Sequence, residues 1–99
     1  MYQERQPACP TEEDRAWFFS LRKDLNHACG LEQVSRSRLV AAYVDCARAE
    51  GPGPSLREIA EHDRLETAVL EARQAMDGFL RRFFDRSRRL DQGLSVQSQ

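Results

Sequence analysis

The chain has 99 residues, 31% of them charged and 40% hydrophobic, with 15 basic against 16 acidic side chains and a net charge of −1. That length fits one domain with a thin stability margin, and the near-neutral balance leaves no global field to draw the chain to nucleic acid or an anionic membrane. No apolar run approaches the roughly 20 residues of a membrane span, and the start MYQERQPACPTEEDR has neither the basic opening nor the apolar core of a signal peptide. Cys9, Cys29 and Cys46 are odd in number and lack framework spacing. They read as reduced thiols, so the expected compartment is the cytoplasm.

Residues 1–10 carry Pro7 and Pro10 and read as a flexible arm ahead of a single helical domain over 11–90. Thr11 opens TEED, a capping-box-like start whose acidic residues favour the positive end of a helix. The spacing predicts a first helix from Glu12 to Cys29, with Gly30 as its left-handed stop. Trp17, Phe18, Leu21, Leu25 and Ala28 share its apolar face, while Phe19 points to the polar side among Arg22, Lys23 and His27.

A second helix is expected from about Arg36 or Ser37 to Glu50, with Leu39, Val40, Tyr43, Cys46 and Ala47 as its stripe and Cys46 in the core. GPGP ends it, because neither residue type suits a helix interior. Ser55 then restarts the chain as SLRE, a capping box with Glu58.

A phase break follows. Leu56, Ile59 and Ala60 cluster on one side of a helix, and the stripe from Leu65 is centred nearly opposite. Either the chain turns near His62-Asp63-Arg64, or one long helix shows a different apolar face at each end. Asp63 tolerates irregular backbone, which favours the turn. From there Leu65, Val69, Ala72, Met76, Phe79 and Phe83 are spaced 4-3-4-3-4, the 3.5-residue repeat of a coiled-coil seam. Leu80 and Phe84 widen that stripe, and Gly78 offers close approach to a neighbour. Residues 91–99 read as a disordered polar tail. The fold expected is all-α, a small bundle of three or four helices, dimeric.

Residues 36–73, through Gly51-Pro52-Gly53-Pro54-Ser55-Leu56-Arg57-Glu58-Ile59-Ala60, resemble the N-terminal DNA-binding domain of LexA-type repressors. The resemblance implies a helix-turn-helix repressor that contacts DNA through Arg57, Thr67 and Arg73. Charge opposes this: residues 55–77 hold Arg57, Arg64 and Arg73 against Glu58, Glu61, Asp63, Glu66, Glu71 and Asp77, facing a duplex with one negative charge per about 1.7 Å. The arginines from Arg81 to Arg89 fit the negative end of a helix dipole as well as they fit phosphate.

No CxxC or HxxxH pair marks a metal site, no nucleophile sits beside a base, and no phosphate loop is present. The expectation is a non-enzyme with no cofactor, metal or catalytic residue. The aromatic surplus instead favours association. The interface residues expected for a partner or a dimer are Phe19, Leu65, Val69, Ala72, Met76, Phe79 and Phe83. In size and build the chain is similar to small bacterial antiactivators. That resemblance implies a regulatory homodimer, without membrane contact, that modulates a transcription regulator by protein–protein contact.

Overall fold

The computed structural model describes residues 10–97, with side chains through residue 89. The expected arm at 1–10 falls almost wholly outside the described residues. Two helices form an antiparallel hairpin, α1 over Glu12–Ala47 and α2 over Leu56–Gln97. Among the described residues there is no strand, and no helix is long and apolar enough to cross a membrane. The chain is a rod of 74 × 28 × 16 Å.

Capping fixes where each helix begins. Thr11 Oγ1 accepts from the Asp14 amide at 3.1 Å, and Asp14 Oδ2 accepts from the Thr11 amide at 3.0 Å, so two otherwise orphaned donors are satisfied reciprocally. Ser55 Oγ accepts from the Glu58 amide at 3.1 Å and donates to Glu58 Oε1 at 3.1 Å.

The all-α class expected from the sequence holds, but the expected three or four helices are two. Gly30 does not stop α1, which runs through it. A helix-interior glycine costs about 1 kcal/mol relative to alanine. The inward residues on either side of it, from Phe18 to Ala42, keep one continuous line of packing and outweigh that cost. The turn expected at His62-Asp63-Arg64 is likewise helical, within an unbroken α2. With no proline after Pro54 to stop it, α2 continues to Gln97, across most of the stretch read as a tail.

The line of contact explains the continuity. On α1 the inward residues are Asp14, Phe18, Leu21, Leu25, Ala28, Glu32, Ser35, Leu39 and Ala42; on α2 they are His62, Leu65, Val69, Ala72, Met76, Phe79, Phe83 and Arg86. Both runs step alternately by three and four, so both helices carry one heptad seam at their a and d positions. Rings and polar groups pair along it in antiparallel register: Trp17 lies 5.0 Å from Phe79, edge to face, Phe18 lies 5.8 Å from Phe79, and Ser35 meets His62.

The link between the helices is built on α1's end. The Ala49 amide donates to the Cys46 carbonyl at 3.0 Å and the Glu50 amide to the Asp45 carbonyl at 2.8 Å, the paired bonds of a Schellman cap. Ala49 occupies its left-handed position at φ 59°. Gly53 stands at φ 83°, where an added Cβ would come within 3.3 Å of Cys46 Cβ and Sγ. Cys46 itself is exposed, not core as expected, because α2 begins beyond its reach. Gly78 has open space around it, so nothing in the chain uses its small size.

The left-handed cap gives a first prediction. L-residues pay about 1–2 kcal/mol in that region, partly balanced by glycine's greater unfolded entropy. Ala49→Gly should therefore raise unfolding stability by about 0.5–1 kcal/mol, read as a higher urea midpoint at unchanged slope.

At the open end Arg86 Nη2 donates to Asp14 Oδ2 at 2.7 Å, joining the α1 capping box to α2. That bond, with the Thr11 amide, holds the Asp14 carboxyl below its ordinary value of 3.8. A carboxylate held down in the folded state stabilises it above the unfolded pKa, and the benefit disappears as pH falls through the lowered folded value. The stability difference between the wild type and Asp14→Asn should accordingly be greatest at neutral pH and vanish in acid, as seen in denaturant midpoints across a pH series.

Candidate functional site

The two-helix seam buries very little. Among the described residues Val69 and Phe79 are its only buried apolar side chains, 8% and 7% exposed, and no large side chain is completely enclosed. The chain exposes 8502 Å², against about 5,800 Å² expected for a compact monomer of this mass. A hairpin of this length has one packed line and two open flanks.

The heptad divides those flanks. Positions e and b lie about 100° to one side of the seam, and g and c lie equally far to the other. In an antiparallel pair e faces e and g faces g, and the stacking of Arg82 on Trp17 at 5.4 Å shows the g flank directly. The e/b flank collects Phe19, Val40 and Tyr43 from α1 and Leu56, Ile59, Leu70, Leu80 and Phe84 from α2. Of these, Phe19 is 59% exposed, Tyr43 68%, Leu70 56% and Phe84 51%. Among the described residues the g/c flank offers only Trp17, Leu31 and Val34 as large apolar groups, and the arginine stacks on the first of them. The e/b flank thus carries more exposed large apolar side chains than the g/c flank, interleaved with charged residues.

The residues singled out for an interface separate into two groups. Leu65, Val69, Ala72, Met76, Phe79 and Phe83 lie on the seam against α1, so the chain's own hairpin occupies their inward faces. Phe19 alone stands on the e/b flank, edge to face with Phe18 at 5.5 Å. Leu70, Leu80 and Phe84 complete that flank. The signal for them was the second heptad line running Leu56, Ile59, Leu70, Leu80 and Phe84, which also accounts for the phase break before Leu65. Arg57, Thr67 and Arg73 point in three different directions from α2, and Thr67 Oγ1 donates to the Asp63 carbonyl at 3.0 Å.

The seam also contains one polar layer. His62, 8% exposed, sits between Ser35 Oγ at 3.1 Å from Nδ1 and Glu66 Oε1 at 2.7 Å from Nε2. Glu32 approaches Nε2 to 3.9 Å through Oε1 and meets Arg36 Nη2 at 3.5 Å through Oε2. A sequence scan for metal-type spacing passes over this group, because Glu32 and His62 meet only through the hairpin.

Compared with protein-family models, with curated proteins and with solved structures, the chain matches none. Its geometry is therefore the basis for any assignment.

The packing at the open end can be tested through the single tryptophan. Phe79→Ala removes the ring that Trp17 and Phe18 share and should cost about 3–5 kcal/mol, with a red shift of Trp17 emission. Val44→Ala, on the outer face of α1, should stay within about 0.5 kcal/mol in the same urea titration.

Proposed function

We propose that the chain is a binding protein whose e/b flank pairs with the same flank of a second copy, giving a four-helix bundle. The observation that supports this most is the apolar line outside the seam, set at the angle at which each helix of a square bundle meets its second neighbour.

Charge complementarity selects the arrangement. On this flank α1 carries Arg15, Arg22 and Arg36 against Glu12, whereas α2 carries Asp63, Glu66 and Asp77 against Arg73. A two-fold axis parallel to the helices lays α1 over α2 of the second copy at equal height. Arg22 then stands opposite Asp77 and Arg36 opposite Asp63. Phe19 meets Leu80, Cys29 meets Leu70, and Val40 with Tyr43 meets Ile59 and Leu56. A two-fold axis across the helices would set α1 on α1, placing arginines against one another.

The role proposed for this dimer is regulation by contact with another protein, without chemistry of its own. The similarity in build to antiactivators supports a transcription regulator as the target. The acidic excess over residues 55–77 disfavours direct contact with DNA.

Sedimentation velocity tests the dimer. At about 100 µM the wild type should run at twice the chain mass, and Leu70→Glu with Phe84→Glu should run as a single chain while keeping its helical circular dichroism. Val34→Glu, on the other flank, should remain dimeric. A wild type of single-chain mass at that concentration would contradict the proposal.

A further inference from the structure

The polar layer at His62 has the composition and spacing of a metal-binding site. Glu32, His62 and Glu66 each direct one donor atom inward, and the three atoms lie within 4.8 Å of one another. A tetrahedral ion with ligands at about 2.0–2.2 Å holds its donor atoms about 3.4 Å apart. The 2.7 Å and 3.9 Å separations from His62 Nε2 bracket that value; the widest separation, up to 4.8 Å, lies between the two flexible Glu side chains, which must close on each other for the set to fit.

Two features favour an ion over a plain hydrogen-bonded layer. His62 Nδ1 lies 3.1 Å from Ser35 Oγ, and a ligating imidazole ordinarily gives its second N–H to such an acceptor, leaving Nε2 free to bind. Two carboxylates and a neutral imidazole balance a divalent charge, and Arg36, which pairs with Glu32 at 3.5 Å, would give up or share that carboxylate on binding. Along the seam the layer is flanked by the apolar residues Ala28, Leu39, Leu65 and Val69, of which Val69 is buried and the others half-buried.

We infer that Glu32, His62 and Glu66 form a site for a divalent transition-metal ion of zinc type. Three protein ligands span the two helices, and a fourth position opens beside Glu66, whose side chain is 59% exposed. Binding replaces the Nε2–Glu66 contact with bonds to the ion, keeps the ring N–H on Nδ1 toward Ser35 Oγ, joins α1 to α2 at the middle of the seam and fixes their register. The open position takes water or an oxygen donor from a partner. This inference needs only the hairpin and holds whether or not a second copy binds.

Zinc titration by calorimetry tests the site, using chelator-treated full-length protein with Cys9, Cys29 and Cys46 changed to serine so that thiols contribute nothing. One ion per chain is expected, with a rise in the melting midpoint and, for Co²⁺ in place of Zn²⁺, the intense visible absorption of a tetrahedral site. Glu66→Gln keeps the shape and the half-exposed position, and should weaken binding at least about tenfold. His62→Gln should abolish it. Absence of stoichiometric binding up to about 100 µM zinc, or binding equally tight in folded Glu66→Gln, would overturn the assignment.

Discussion

Everything in this structure depends on one line of side chains at alternating three- and four-residue steps on both helices. Among the described residues neither helix has a second source of burial, so the seam keeps α1 and α2 together over their length. Helix propensity does not account for it: isolated helices are marginal in water, and tertiary packing of an apolar face supplies most of their stability. The two capping boxes, the Schellman cap after α1 and the Asp14–Arg86 bond at the far end set where the seam starts and stops. Its middle is interrupted by polarity, at Ser35 and Glu32 opposite His62. A polar residue at an a position lowers stability while fixing register. Here it excludes slipped pairings of two otherwise similar apolar ends.

The same repeat that makes the hairpin leaves it incomplete. With two helices, each can turn only one face inward, and the second apolar line, from Leu56 to Phe84 on α2, faces away from α1. A single chain of this shape exposes far more surface than a compact one of equal mass. A second copy laid on the e/b flank gives every helix two neighbours, which is the ordinary solution for amphipathic helices of this width. The polar layer then stands near the centre of a bundle, with Glu66 at the join between the two copies.

Local signals in the sequence were legible where local chemistry decided the outcome. Thr11 with Asp14 and Ser55 with Glu58 read as caps and are caps. The 4-3-4-3-4 spacing from Leu65 to Phe83 read as a seam and packs as one. Gly30 and His62-Asp63-Arg64 read as breaks and are helical, because partners about 30 residues away outweigh a preference of about 1 kcal/mol. On α1, Glu32 and Ser35 hid the heptad by placing polar residues at seam positions, and their reason for being there is on α2. The flank was half legible: Phe19 stood out among polar neighbours, but Leu80 and Phe84 read as a widened stripe instead of a separate face, and Leu70 carried no reading at all. For the His62 layer the sequence held only the four-residue step to Glu66. The third member is supplied by the hairpin.

The central claim is that one heptad line joins the helices of a chain and a second joins two chains side by side. Small-angle X-ray scattering with mass calibration measures both parts together. The account predicts a particle of two chain masses whose longest dimension stays near the 74 Å of one hairpin, because copies related by an axis parallel to the helices add width without length. A particle of one chain mass, or a dimer close to twice that length, would contradict it.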